Sequence, residues 1–169
     1  MSQTVQWCCI VMERRTLSNN RWVDHQWEAI SVLPDRGETA PRCLLSDAQS
    51  EQWFYPALPL YLFGDEAENY LLNLAAPEPR LFVITREEDG RPVPAFLTVS
   101  YGEAARMLDA SETVDGIPLP HEMWHWAHAF AQANYREPEA KKEKRYARAP
   151  QMQGHVGERV GEHTEGQVA

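Results

Sequence analysis

Apolar residues recur along much of the chain at the two-residue period of β-strands. In 5–13 both alternating sets of positions are apolar, which indicates a central strand with two buried faces. Turn-forming residues separate it from a second long run that ends at Pro34, so the two runs are expected to form an antiparallel hairpin. Asp89-Gly90 predicts a tight turn between a later pair of strands. The six predicted strands are 5–13, 21–33, 51–55, 58–63, 80–86 and 93–100.

The period of an amphipathic helix occurs in 65–75 and again in 121–136. Asp65 followed by Glu68 resembles a capping box at the start of the first helix, with Asp in place of the usual Ser or Thr. A shorter run, 102–109, predicts a helical turn. These segments add two or three helices to the strands.

Together the elements predict an α+β fold, built on a mostly antiparallel sheet of about six strands. A sheet of this kind can stay open or curl into a partly open barrel, and the sequence leaves both alternatives open. Pro59 is expected near an edge or a bulge because it lacks a backbone donor, and Asp115-Gly116 predicts a turn. The expected organisation is one domain over 1–137, followed by a disordered charged tail over 138–169 that has few large apolar residues.

Composition narrows the class of protein. The chain has 169 residues, of which 43% are hydrophobic, and this favours a single soluble domain. No apolar run approaches the roughly 18 residues of a membrane span. The first residues lack the order of a signal peptide, so a cytoplasmic location is expected. Three cysteines without a C-x-x-C spacing indicate reduced thiols rather than a disulfide framework or a zinc ribbon.

Charge separates the predicted body from the predicted tail. The first 136 residues carry ten arginines, no lysine and nineteen acidic residues. Such an acidic body repels phosphates, so nucleic acid is not expected as a partner. A body without lysine also excludes Schiff-base chemistry and a P-loop lysine.

The segment HEMWH at 121–125 matches the H-E-x-x-H signature of helical zinc proteases. Residues four apart share a helix face, so His121 and His125 have the spacing to hold one zinc ion, with His128 one turn further on. Glu122 would then act as general base on a zinc-bound water. This pattern is the basis of a zinc-dependent hydrolase hypothesis.

The helical wheel favours a different interpretation of the same helix. The histidines lie opposite its apolar stripe, so a stripe that packs on the core leaves them facing solvent, without the dry cavity and third protein ligand of a catalytic site. Weak binding of zinc or nickel by the exposed imidazoles is the alternative that this orientation leaves. No resident cofactor is therefore expected. The stripe comprises Met123, Trp126, Ala127 and Phe130.

Arginine and tryptophan side chains cluster where the first two predicted strands meet, and both residue types are enriched in interface hot spots. They are the candidate interaction surface, although sheet packing and solvated charge pairs are the more common explanation of such residues. A basic run in the predicted tail is a second candidate, either for docking onto an acidic partner or as an ordinary solvated segment. The candidate surface is Arg14, Arg15, Arg21, Trp22, Asp24 and Trp27, and the basic run is Lys141, Lys142, Lys144, Arg145 and Arg148.

Several blocks of the chain resemble DUF3305, a bacterial family of unknown function, over most of 5–148. The resemblance implies no catalytic residue. It does imply a context, because such proteins tend to be encoded near molybdenum-dependent formate dehydrogenases and their maturation factors. The similar blocks are 11–15, Arg21-Trp22 with Asp24 and Trp27, 29–34, Glu68-Asn69-Tyr70 and Asn73-Leu74.

These observations favour a non-enzymatic accessory protein that binds a protein partner, with a molybdoenzyme or its maturation factor as the partner implied by the resemblance. The zinc-dependent hydrolase of residues 121–125 is one alternative. A small-ligand or cofactor carrier is the other, and it would require a sizeable apolar cavity inside a curled sheet.

Overall fold

Two antiparallel sheets and three α-helices form the fold within residues 2–17 and 24–138, which are the residues that the computed structural model describes. This confirms the predicted α+β class. A short 3₁₀ turn, Gly64–Glu66, precedes the first helix. The strands are β1 (Gln3–Thr16), β2 (His25–Pro34), β3 (Arg42–Ser46), β4 (Ser50–Phe63), β5 (Arg80–Glu88), β6 (Arg91–Thr98) and β7 (Thr113–Pro118), and the helices are α1 (Ala67–Leu74), α2 (Tyr101–Asp109) and α3 (His121–Asn134).

The first sheet has the strand order β2-β1-β4-β3 and the second the order β6-β5-β7, with every pairing antiparallel. The two sheets meet where β4 approaches β6 and where β2 approaches β7. Where β2 approaches β7, the backbone N–H of Ala29 donates to Oδ2 of Asp115, at 2.9 Å. Backbone pairing among the described residues does not close the sheets into a barrel.

Strand β1 is the central strand that the apolar pattern of 5–13 predicted. Cys8, Ile10 and Met12 are fully buried in the main core between the sheets. Cys9 and Val11 point to the opposite face, where they form a smaller buried cluster with nearby residues of the same sheet. Burial on both faces stabilises β1 by about 1.5–3 kcal/mol for each large apolar side chain.

Residues 51–55 and 58–63 were predicted as two strands, but they form one continuous strand, β4. Ala57 takes a left-handed backbone conformation with φ of 58°, and the pairing with β1 shifts register there. A bulge therefore absorbs the interruption at Pro56 without ending the strand. Pro59 pairs with Trp7 beyond the part of β4 that β3 covers, in accord with the expected edge or bulge position.

The turn predicted at Asp115-Gly116 is wrong, because both residues lie within β7. Gly116 pairs with Phe82 of β5, and a side chain added there would lie about 3.6 Å from that ring, which is ordinary van der Waals contact. Strand β3 was not predicted either. All of its residues are exposed, and it therefore lacks the buried periodicity by which strands are recognised.

All three helical predictions are confirmed as helices, with different boundaries. The expected capping box does not form. Neither the 3₁₀ turn nor α1 has a side-chain cap at its N-terminus, and Asp65 lies within the 3₁₀ turn. Residues 102–109 lie in a full helix, α2, which Ser100 caps by accepting a bond from the N–H of Glu103 at 3.1 Å. None of the helices in the described part of the chain has the length and apolarity needed to cross a membrane.

Candidate functional site

A row of side chains crosses the first sheet at the end of β1 that is remote from the helices. Arg14 on β1 pairs with Trp27 on β2 and with Glu51 on β4. Directly paired residues of antiparallel strands share one face, which here is the face of Ile10 and Met12. Arg14 Nε lies 3.4 Å from Glu51 Oε2, and both side chains are about three-quarters buried.

The second sheet adds another arginine to this row. Arg91, the first residue of β6, places its guanidinium carbon 3.8 Å from the ring centroid of Trp53, and its Nη1 lies 4.0 Å from Glu51 Oε1. The indole N–H of Trp53 donates to the same Glu51 oxygen at 2.5 Å. We call Arg14, Trp27, Glu51, Trp53, Tyr55 and Arg91 the Arg14–Arg91 cluster.

Polar atoms of the cluster are buried without a hydrogen-bond partner among the described residues. Four such side-chain atoms occur there, and three belong to the cluster: Arg14 Nε, Tyr55 OH and Arg91 Nε. The Arg14–Glu51 contact, at 3.4 Å, is within ion-pair distance but does not have the geometry of a hydrogen bond. Because buried polar groups in folded proteins are nearly always paired, a concentration of unpaired donors marks this place as unusual.

Tyr55 is the most deeply buried member of the cluster, with 7% of its surface exposed. Burial raises the pKa of its phenol, and the guanidinium of Arg91, through its positive charge and its closeness to the hydroxyl, opposes that rise. The phenol is therefore a neutral donor at physiological pH. Beside it lies a cavity of about 220 Å³, lined by Pro41, Tyr55, Glu88, Asp89, Arg91, Val93 and Pro94.

The structure brings together only part of the interaction surface proposed from sequence. Arg14 and Trp27 lie side by side in the cluster. Arg15 points to the other face of β1 and contacts Glu13, while Asp24 is exposed and accepts a backbone bond from Leu17 at 3.1 Å. Two members of that surface and the whole basic run lie outside the described residues, namely Arg21, Trp22, Lys141, Lys142, Lys144, Arg145 and Arg148.

Four members of the cluster, Glu51, Trp53, Tyr55 and Arg91, are not among the site residues predicted from the sequence. Glu51, Trp53 and Tyr55 alternate along one strand, and this two-residue spacing was the signal that they share a face. Arg91 had no comparable signal, because its place beside Trp53 depends on how the second sheet meets the first.

The histidine-bearing helix α3 packs much as the helical wheel indicated. Met123 and Ala127 are buried in the main core, and Trp126 and Phe130 pack partly buried against it. Trp124 also packs there, although it was not assigned to the stripe. Its indole N–H donates to the carbonyl of Leu74 at 2.9 Å.

The histidines themselves lie on the outer side of α3. His121 and His125 are exposed, with their Nε2 atoms 2.8 Å apart. His128 is half-buried and stacks on Trp124 at a centroid distance of 4.5 Å. No group of three histidine, cysteine or acidic side chains in 2–17 and 24–138 is placed to hold a metal ion. An exposed pair of imidazoles lacks the third ligand and the dry cavity that zinc-dependent hydrolysis requires.

A polar cavity of about 390 Å³ lies where the 3₁₀ turn meets the end of α3. Charged and amide side chains contribute much of its wall, so it differs from the apolar interior that a carrier within a curled sheet would need. Its lining residues are Ser2, Gly64, Asp65, Ala67, Glu68, Asn134, Tyr135 and Arg136.

Comparison with known families gives one match. A family model described as protein of unknown function, DUF3305, matches residues 8–145. Neither the curated proteins nor the solved structures contain a match.

Proposed function

The chain belongs to the DUF3305 family of proteins of unknown function, and we propose that it is a non-enzymatic accessory protein that binds a protein partner through the Arg14–Arg91 cluster. The partner that we propose is a molybdenum-dependent formate dehydrogenase or one of its maturation factors, in the cytosol. This finer assignment is supported by the genomic context that the family resemblance implies.

The observation that carries the proposal is the concentration of partly buried arginine and tryptophan around unpaired donors. Trp27 and Trp53 pack partly buried against the main core, so their rings are fixed before any partner arrives. Arg91 is held over the ring of Trp53. Tryptophan and arginine in such a preorganised setting are the residues that dominate interface energies, because little conformational freedom is lost on binding.

Capture from the native host tests this proposal. The full chain, immobilised through an affinity tag, is used as bait, and retained proteins are identified by mass spectrometry. Replacing Arg14 and Arg91 together by Gln should reduce recovery of the partner by about tenfold or more, as expected for two hot-spot residues.

A matched control removes the same charge elsewhere. The Arg80→Gln/Arg86→Gln variant loses two arginines whose ion pairs, with Glu78 and Glu112, lie outside the cluster. This variant should retain the partner. A protein retained equally by both variants and the wild type, or no stable partner at all, would refute the proposal. Identification of a partner unrelated to molybdoenzymes would overturn the finer assignment alone.

A further inference from the structure

We infer that the group recognised by the Arg14–Arg91 cluster is a carboxylate on an acidic segment of the partner, and that Glu51 occupies the position of this carboxylate in the free protein. The inference rests on the proposed function, because it names the chemistry of the same binding site.

The unpaired atoms of the cluster have one chemical character. Arg14 Nε and Arg91 Nε are donors only, and Tyr55 OH is available to donate. A ligand that satisfies all of them must present acceptors. A carboxylate has two oxygens and about four acceptor positions, and guanidinium groups bind it in a two-pronged geometry.

Glu51 already lies near the donors of both arginines, but it does not form a full hydrogen bond with either. Its oxygens lie 3.4 Å from Arg14 Nε and 4.0 Å from Arg91 Nη1, both longer than the roughly 2.7–2.9 Å of a charge-assisted hydrogen bond. One carboxylate is thus shared between two guanidinium groups, and only Trp53 makes a short bond to it. An incoming carboxylate that displaced Glu51, or joined it, would complete the bonds of both arginines.

The charges around the cluster also indicate the side from which an acidic segment of the partner approaches. Glu88 and Asp89 line the cavity beside Arg91, so an acidic segment is repelled on that side. On the other side the row continues through Arg14 to Trp27, which has an apolar ring. The segment is therefore expected to lie along Arg14 and Trp27, with one carboxylate reaching Arg91.

The indole N–H of Trp53 reports directly on this exchange, because it donates to Glu51 in the free protein. Its resonance in a ¹H–¹⁵N spectrum of the full chain is assigned with a Trp53→Phe variant. The main probe is a hexaglutamate peptide, acetylated and amidated so that only side-chain carboxylates are present. A hexaglutamine peptide of the same length controls for backbone contacts, while succinate and inorganic phosphate represent free anions.

The hexaglutamate peptide should shift the Trp53 indole resonance in a saturable manner, and the hexaglutamine peptide should not. Free succinate should produce a similar but weaker shift. If phosphate binds more tightly than the peptide, the site recognises free anions and the assignment to a protein segment is overturned. If no probe shifts the resonance, the carboxylate assignment itself is wrong.

Two variants are expected to change the affinity for the hexaglutamate peptide in opposite directions. Arg91→Gln should weaken peptide binding about tenfold or more, as loss of a charged hydrogen-bond partner predicts. Glu51→Gln should tighten binding, because it removes the internal competitor and leaves an oxygen for Trp53. A misfolded variant cannot reproduce a gain in affinity, so Glu51→Gln keeps the inference refutable even if Arg91→Gln is unstable.

Controls with the same changes in charge lie at the far end of β5. Arg80→Gln and Glu78→Gln alter one exposed ion pair, about eight residues or some 26 Å from the hairpin that carries Arg91. Neither should change the affinity for the peptide. Failure of Glu51→Gln to tighten binding would refute the competitor role of Glu51. If the host partner is still captured in a cluster-dependent manner while the peptide fails to bind, the inference fails and the proposed function stands.

Discussion

The side chain of Asn73 should contribute more to stability than any other single polar group of α1. Asn73 is fully buried and makes three hydrogen bonds, which join the end of α1 to the first residue of β5 and to the residue that follows β6. Its Nδ2 donates to the carbonyl of Arg80 at 2.7 Å and to that of Val99 at 2.9 Å. Its Oδ1 accepts from the N–H of Arg80 at 3.0 Å.

The magnitude follows from what Asn73→Ala leaves behind. Each buried backbone group left without a partner costs about 1–3 kcal/mol. The Val99 carbonyl is buried in full and the two groups of Arg80 in part, so the free energy of unfolding should fall by about 3–5 kcal/mol. A marginally stable domain loses a large fraction of its stability by such a change.

Urea denaturation of the variants, followed by tryptophan fluorescence, measures this loss. Asn134→Ala is the matched control. Among the described residues the side chain of Asn134 makes one local bond, to the carbonyl of Phe130 at 2.8 Å, and its loss should cost about 0.5–1.5 kcal/mol. Asn73→Asp separates hydrogen bonding from volume, because it keeps the shape of the side chain but replaces the donor by an oxygen. A loss below about 1 kcal/mol for Asn73→Ala, or a near-native stability of Asn73→Asp, would refute the reasoning.

Two further predictions follow from the burial of titratable groups. Burial raises the pKa of Asp115, although the bond from the N–H of Ala29 opposes the rise. The contribution of this carboxyl to stability is therefore fully present below its unfolded-state pKa and is lost as the pH rises through the higher folded-state pKa. Asp115→Asn should stabilise the protein at about pH 7, and the gain should shrink towards about pH 4 in urea titrations at both values. Burial also raises the pKa of Cys8 to about 12, whereas Cys43 is exposed. One thiol should react rapidly with a disulfide reagent in the native protein, and Cys43→Ser should abolish that rapid phase; fast labelling that survives the substitution would contradict the structure.

Local sequence patterns predicted the parts of the fold that depend on local chemistry. The turn at Asp89-Gly90 is present because both residues adopt positive φ, of 52° and 75°, as this pair favours. The same dipeptide at Asp115-Gly116 does not form a turn, because both residues pair with β5 as part of β7. The candidate site shows the same division. Arg14 was predicted as an interaction residue from the sequence around it. Its position near Arg91, through their shared contact with Glu51, depends on how the two sheets meet, and no local sequence pattern indicates that.

Two sets of the residues that carry the family resemblance have different surroundings in the structure. Tyr70 and Asn73 in α1 are structural, since Tyr70 accepts a bond from the N–H of Phe63 at 2.9 Å and Asn73 bonds to Arg80 of the second sheet. Strand β4 leads from Phe63 directly into the 3₁₀ turn and α1, so this group fixes the helical end of the core. Arg14 and Trp27 pair with each other at the opposite end of β1, where Arg14 Nε is buried without a hydrogen-bond partner among the described residues. A residue that only stabilised the fold would be expected to satisfy its own hydrogen bonds, and this difference supports the binding role that we propose for Arg14.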